Sequence, residues 1–455
     1  MDIEETVCVI QQLPFEMLCK IFDYLDIWSV KECSRTCRRW QKTIFSDYYI
    51  KRFRLSVMIP AGCETLNLIQ KSDRLYCNMD IMLDCNLNDS NVHRIFNGIY
   101  SVFCYPRLEQ LVTLKIRIVE YETNSIRMIM NAIAGMKVLR ELCLENWEKY
   151  GIDESNMDNL QIRSNSIQLL VLADIIPTLI EAPKLSSLRI TTGPSVFSSQ
   201  RLDILYEKQL FSWRIPSLKS LEIDKVSLSS LTFINNIEHV LRFLNNHAQL
   251  EKLNLMNVKL SGLLFKAICE NCINLRELSI ESLYIVDTTT LQNLSKLAKL
   301  RHLQLKNITC LEPVSFQTVR LPNLESLGIG SFPLHYETLD AFKSISKITI
   351  LSVNTSTDFM TALAIKIPKL KQVELPKFSS QAIQSLQLLT SVEVLIVAFP
   401  ITNLIRLRPG ITTIKEIQCL VNCTPSSSDI TILRTLYPTL QLITAGKNFK
   451  IRFHN

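Results

Sequence analysis

Cys272-Ile273-Asn274-Leu275-Arg276-Glu277-Leu278-Ser279-Ile280 is the stretch that settles how this chain folds. From Leu275 it reads aliphatic, two of any kind, aliphatic, one of any kind, aliphatic. The same phrase begins at Leu250 before it and at Leu300 and Leu324 after it. Working outward, copies start at Leu139, Ile167, Leu185 and Leu218 on one side and at Ile345, Leu370 and Val392 on the other. Leu111 opens an earlier copy, and looser forms begin at Ile414 and Leu440. In each copy the last two aliphatics stand two residues apart, so they point to one face of a short strand. One copy means little on its own, whereas a series this long needs a structural cause.

The starts at 250, 275, 300 and 324 give a period inside the 20 to 29 residues of leucine-rich repeats, which the series resembles. That resemblance implies an α/β fold: a curved solenoid with parallel strands on its concave face and helices and loops outside. A single repeat cannot bury its own apolar face, and stacking many of them makes one continuous core. Leu263, Leu264, Ala267 and Ile268 read as a returning amphipathic helix, as do Leu291, Leu294, Leu297 and Ala298. Spacing is irregular elsewhere, with 18 residues from Ile167 to Leu185 and 33 from Leu185 to Leu218. Thr191 to Leu210 is expected to leave the array as a loop, and 54–107 to hold atypical first repeats or a linker.

The N-terminal stretch has a different pattern. In Leu13-Pro14-Phe15-Glu16-Met17-Leu18-Cys19-Lys20-Ile21-Phe22-Asp23-Tyr24-Leu25, the residues Leu18, Ile21, Phe22 and Leu25 form one helical stripe that Pro14 can start. Val30, Cys33, Cys37, Trp40 and Ile44 form a second stripe, with Arg35, Arg38, Arg39 and Lys42 outward. Two or three short helices are expected. About 45 residues lie near the lower limit for autonomous folding, so a second polypeptide should cover part of this surface. Ile21, Phe22 and Trp40 are expected to lie uncovered until it does.

Leu-Pro-x-Glu-x-Leu-x-x-Ile-Phe-x-x-Leu followed by Cys-x-x-Trp resembles the F-box, the module by which substrate receptors dock onto the Skp-type adaptor of cullin-RING ubiquitin ligases. The likeness covers 11–53. It implies adaptor contacts at Leu13, Pro14, Leu18, Ile21, Phe22, Leu25, Val30, Cys37 and Trp40. The family often has a proline after the first helix; here the turn reads Asp26-Ile27-Trp28-Ser29, which leaves the second helix the least fixed part. An amphipathic cap on the following domain is the alternative. Cys272-Ile273-Asn274-Leu275 resembles the cysteine-containing repeat of F-box leucine-rich proteins.

With 455 residues, 47% of them hydrophobic, the chain has apolar material for more than one ordinary core. The apolar stretch Leu169 to Ile180 is broken by Asp174 and Pro177, so no run is long enough to span a bilayer. Met1 to Glu5 is acidic where a signal peptide would be basic, so the chain is expected in the cytoplasm, the nucleus or both. Cys19, Cys33, Cys143 and Cys269 sit at apolar positions, as reduced core residues do. Net charge is +7 with both signs interspersed, which is not a nucleic-acid footprint. Ten glycines and no Walker, dinucleotide, His-Glu-x-x-His or Gly-x-Ser-x-Gly motif leave no candidate catalytic residue and no cofactor. Cys269-x-x-Cys272 lacks a second ligand pair, so no metal is expected.

On a leucine-rich solenoid the residues between the buried aliphatics face the concave side. Here they are Glu222 and Asp224; Lys252, Asn254 and Met256; Glu277, Ser279 and Glu281; then His302, Gln304 and Lys306. This face reads as acidic in its middle and more basic one repeat later, which suits a partner of mixed charge. The resulting expectation is an F-box at 11–53, a solenoid at 108–445 and a tail at 446–455. Its function would be that of a non-catalytic substrate receptor of an SCF ubiquitin ligase, promoting proteasomal degradation of a protein target. The alternatives are an adaptor-binding scaffold without ligase role and an RNA- or nucleus-associated leucine-rich protein.

Overall fold

The computed structural model describes residues 12–59, 74–83, 109–119, 123–146, 160–191, 210–224, 237–330, 332, 334–350, 357–375, 388–406, 412–446 and 449–453. The chain divides into two compact units, Met1–Leu202 and Asp203–Asn455. The division falls inside the 33-residue gap between the phrases at Leu185 and Leu218. Most of the loop expected at 191–210 lies outside the described residues.

In the second unit the phrase becomes strand. Ser220–Asp224 (β9), Lys252–Ser261 (β10), Glu277–Tyr284 (β11), His302–Thr309 (β12), Ser326–Ile329 (β13) and Lys347–Ile350 (β14) follow one another in the chain. Gln372–Leu375 (β15), Val394–Val397 (β16), Glu416–Cys419 (β17) and Leu442–Ala445 (β18) complete the parallel series. Each strand pairs with the next so that Leu221, Leu253, Leu278, Leu303, Leu327, Ile348, Val373, Leu395, Ile417 and Ile443 share one row. All ten are buried. A one-residue slip at any junction would turn a strand's aliphatics outward, so the buried row itself holds the register.

The repeat extends three residues further back than the phrase. The N–H groups of Leu218, Leu250, Leu275, Leu300, Leu324, Ile345, Leu370, Val392 and Leu440 donate to the carbonyl three residues earlier, closing a tight turn before each of β9 to β16 and before β18. The residues supplying those carbonyls, among them Ile215, His247, Cys272, Leu297, Ile367 and Tyr437, are buried. Cys272 therefore occupies an apolar core position equivalent to Leu297 one repeat later. The residue before the phrase also contributes, since the side chains of Gln249, Asn274, Asn323, Ser391, Thr413 and Thr439 each bond a backbone carbonyl in the preceding repeat at 2.6–3.0 Å. Amide and hydroxyl groups there satisfy carbonyls that the turn leaves free.

The returning segments are mixed. Gly262–Asn271 (here α6) is a helix that buries Leu264, Ala267 and Ile268, while Leu263 points outward. Thr288–Lys296 is a 3₁₀ helix, and its Leu291, Leu294 and Leu297 recur every three residues, the 3₁₀ period, with Ala298 left exposed. Two further helices, Ile237–Asn246 (α5) and Thr357–Lys366 (α7), and Ser427–Leu436 (α8) also cross between strands. Ser426 and Asp429 form a capping box that starts α8. In the segment expected as a tail, Phe449–Arg452 (β19) pairs antiparallel with β18, giving the last parallel strand a hydrogen-bonded neighbour.

The first unit holds a shorter series. Arg54–Ile59 (β1), Asn78–Leu83 (β2), Thr113–Ile118 (β3), Glu141–Asn146 (β4), Leu169–Ala173 (β6) and Ser187–Thr191 (β8) pair in parallel in that order. β1 and β2 lie within 54–107, and β2 carries the phrase as Tyr76-x-x-Met79-x-Ile81, with tyrosine and methionine in place of leucine. The helix Thr123–Gly135 (α4) returns from β3 to β4. In the short repeat between Ile167 and Leu185 the return is a strand. Leu179–Glu181 (β7) pairs with Gln161–Arg163 (β5) in a separate two-stranded sheet.

Two residues make the packing testable. A Cβ on Gly330 would lie 2.1 Å from the Lys306 carbonyl oxygen, whereas one on Gly135 meets nothing within 4 Å. Gly330→Ala should cost about 1–3 kcal/mol through a forced backbone shift, and Gly135→Ala should be neutral or stabilising by about 0.5 kcal/mol, both read from urea midpoints.

His247 is fully buried. Its Nε2 accepts from the Ile215 N–H at 3.1 Å and its Nδ1 reaches the Phe243 carbonyl at 2.7 Å. That arrangement uses the neutral ring, and burial lowers its pKa below the ordinary histidine value. Protons then bind the unfolded chain more readily, so stability is complete above about pH 6.5 and falls as pH drops toward the folded-state pKa. Urea unfolding between pH 7 and 5 should show a loss of at most about 1.4 kcal/mol per pH unit from this group, and His247→Gln should flatten that dependence.

Candidate protein-docking surfaces

The N-terminal stretch forms three helices, Phe15–Asp23 (α1), Ile27–Cys33 (α2) and Arg38–Ile44 (α3), followed by a 3₁₀ turn at Ile50–Arg52. The Asp26 side chain fixes where α2 begins, accepting from the N–H groups of Trp28 and Ser29 at 2.9 and 3.0 Å. Hydrogen bonds from Ser29 stabilise its charged form and lower its pKa. Arg52 secures the end of α1, with its guanidinium donating to the carbonyls of Phe22 and Leu25 at 3.2 and 3.3 Å and pairing with Asp23 at 3.1 Å. A cation suits the negative end of a helix.

Leu18, Cys19, Phe22, Val30, Ile44, Tyr49 and Phe53 make a core of their own, with Leu13, Leu25, Cys33, Trp40, Phe45 and Tyr76 packed around it. Phe22 sits at its centre, edge-on to Trp40 at 5.4 Å and to Tyr49 at 6.1 Å between ring centroids. Burial pushes the Tyr49 hydroxyl up to about 12. The expectation that Ile21, Phe22 and Trp40 lie uncovered is therefore corrected. Only Ile21 is exposed, at 41%, whereas Phe22 is 1% exposed and Trp40 is partly buried. The two sequence stripes face each other, so Leu18, Phe22 and Val30 fill the domain interior. Of the other expected contacts, Pro14 is exposed, and Leu13, Leu25 and Cys37 are half-buried.

What remains open is a different stripe. Met17, Ile21 and Tyr24, at i, i+4 and i+7, run along the side of α1 away from Leu18 and Phe22, and all three are exposed. Trp28, 73% exposed at the start of α2, and the exposed Ile27 add to this apolar surface. The periodicity that picks out Leu18 and Phe22 also generates Met17 and Tyr24 one position away; hydrophobicity alone ranks both stripes as core. Trp40 Nε1 is buried without a hydrogen-bond partner.

On the second unit's sheet, Glu222, Asp224, Lys252, Asn254, Met256, Glu277, Glu281, Gln304 and Lys306 are half-buried on the face opposite the aliphatic row, and His302 is exposed. Their charges are tied in pairs across neighbouring strands. Lys252 meets Glu277 at 2.8 Å and Lys306 meets Glu281 at 3.2 Å. The acidic middle and basic flank read from sequence thus largely neutralise each other. In the first unit the same face carries a network that sequence reading missed, with Arg117 to Asp80 at 2.6 Å and Lys115 to Glu145 at 2.6 Å. The available signal was a charged residue between the last two aliphatics of successive phrases, Asp80 and then Lys115. Beside them Cys143 is pushed up to about 12, first by burial and then by Glu145.

Cys269 and Cys272 are fully buried and their thiols are raised by burial, Cys272 to about 12. Among the described residues no group of three or more His, Cys, Asp and Glu side chains is placed to hold a metal ion, and no helix is long and apolar enough to cross a membrane.

The sequence matches the family model described as F-box-like over residues 10–56. No curated protein matches the chain. Among solved structures, an internalin (inlF) from Listeria monocytogenes is similar at 14% identity, covering 79% of this chain and 94% of that one with a TM-score of 0.34. The repeat assignment rests instead on the strand order, the shared register and the turns before β9 to β16 and β18. Residues 10–56 are thus F-box-like, and parallel, in-register strands carrying the leucine-rich phrase follow them in sequence.

Proposed function

We propose that the chain is the substrate-recognition subunit of an SCF-type ubiquitin ligase, binding a Skp-type adaptor, and through it a cullin, with its N-terminal domain and a protein target with its repeats. The observation that carries this reading is the apolar surface of Met17, Ile21, Tyr24 and Trp28, left in solvent by a domain that already has a complete core. Pro14, and the accessible parts of Leu13, Leu25, Cys37 and Trp40, border the contact. Leu18, Phe22 and Val30 support it from inside. The F-box spans 11–53 and the repeats that hold the target occupy 108–445, preceded by β1 and β2. Glu222, Asp224, Lys252, Asn254, Met256, Glu277, Glu281, His302, Gln304 and Lys306 form the target face, where charges paired within the chain give specificity more than affinity. Bond making belongs to other subunits; this chain supplies proximity. Its place is the cytoplasm, the nucleus or both.

Two kinds of variant separate docking from folding. Ile21→Glu combined with Trp28→Ala should abolish co-purification with the adaptor while the thermal unfolding of the chain stays unchanged; undiminished binding would refute the reading. Phe22→Ala should instead cost about 3–5 kcal/mol of local stability, as for other core aromatics, and expose residues 12–53 to limited proteolysis. With the proteasome blocked, polyubiquitinated proteins should accumulate on the wild-type chain and not on the docking variant. Equal accumulation on both would favour the scaffold without ligase role.

A further inference from the structure

One feature of the N-terminal domain is left unused by that docking surface. Phe15, Arg38, Arg39, Lys42 and Thr43 line a shallow, open cleft of about 440 Å³. Three of its five lining side chains are cationic and none is acidic. Arg39 donates to the Leu13 carbonyl, which holds it across the mouth of α1. Among the described residues neither Arg38 nor Lys42 makes an ion pair with an acidic side chain, in contrast to Arg35, which pairs with Glu32 at 3.0 Å. Residues 11–53 as a whole contain eight Lys and Arg against five Asp and Glu.

Helix stability does not account for the placement. Arg38 and Arg39 occupy the first turn of α3, where the helix dipole disfavours positive charge. Arg38 and Lys42 repel each other at i and i+4. A locally unfavourable charge cluster beside an exposed ring is what an anion-binding contact requires, since arginine forks match carboxylates and the aromatic edge excludes water. Phe15 links this cleft to the apolar stripe, because it begins the same helix that carries Met17, Ile21 and Tyr24.

We propose that the cleft of Phe15, Arg38, Arg39 and Lys42 receives Asp or Glu carboxylates from an acidic segment of the adaptor seated on the neighbouring stripe. This rests on the adaptor-docking reading above and adds an electrostatic anchor to it. Rim charges of this kind act mainly on association rate and are screened by salt.

The test measures adaptor affinity and association rate for the full chain at 50 and 300 mM NaCl. Arg38→Glu with Lys42→Glu should weaken binding at least tenfold at 50 mM, chiefly through a slower on-rate, and by much less at 300 mM. Arg38→Gln with Lys42→Gln, which carries no new repulsion, should fall between that variant and wild type. Lys51→Glu with Arg54→Glu, the same charge change outside the cleft, should stay within twofold. If the cleft variants bind within twofold of wild type while Ile21→Glu abolishes binding, the anchor is refuted and the docking face stands. If Ile21→Glu also leaves binding intact, the docking reading fails first. A phosphoserine peptide that binds the wild-type cleft and is lost in Arg38→Gln with Lys42→Gln, with adaptor binding unaffected, would overturn the carboxylate assignment.

Discussion

Every repeat in this protein depends on its neighbours to remove its aliphatic row from water. A strand of four to ten residues presents two or three aliphatic side chains on one face, and nothing within the same repeat is large enough to cover them. Parallel pairing in register aligns those side chains from Leu221 to Ile443, so the core is shared rather than divided into independent parcels. The turns before β9 to β16 and β18 follow from the same need. The buried residue whose carbonyl accepts the turn's hydrogen bond closes the floor of the repeat, and in six repeats the polar side chain just before the phrase ties a carbonyl of the previous repeat.

This dependence leaves the opposite face free to vary, and there the chain spends its charge on itself. Lys252 with Glu277, Lys306 with Glu281 and Arg117 with Asp80 join adjacent strands at 2.6–3.2 Å. Lys252 with Glu277, the most exposed of the three, adds little to stability, on the order of 1 kcal/mol or less. On the proposed target face the larger effect of such pairs would be on recognition, because a target would have to offer complementary groups that compete with a pair already made. The N-terminal domain follows the reverse arrangement: its cations at Arg38 and Lys42 have no acidic side chain paired with them among the described residues, and its outward apolar stripe is open.

The three-helix domain is folded and still leaves apolar area in solvent. Its core of seven buried residues, closed by Arg52 on the end of α1 and by Asp26 at the start of α2, is complete without a partner. Asp26 takes the start of α2 at the turn where the F-box pattern often has proline, and it does so by accepting two backbone N–H groups. The surface around Met17, Ile21, Tyr24 and Trp28 is then surplus apolar area, and it sits on rigid helices rather than on loops.

The chain's periodicity by itself determined the repeat fold, because a phrase with aliphatics two residues apart and a period near 25 has one economical solution, stacked parallel strands. It also marked the N-terminal helices and the core positions of Cys19 and Cys269, whereas Cys33 and Cys143, read the same way, are only half-buried, Cys143 because it alternates with Leu142 and Leu144 onto the polar face. Tertiary structure decided which of two adjacent apolar stripes on α1 faces inward. Leu18 and Phe22 lie one helical position from Met17 and Ile21, and only packing against Tyr49, Trp40 and Ile44 distinguishes them. It decided as well that β2 could carry Tyr76 and Met79 in a leucine phrase, since volume and burial matter there more than residue type. The pairing of charges across strands was likewise beyond a linear reading, because Arg117 and Asp80 stand 37 residues apart and meet only when the register brings their strands together.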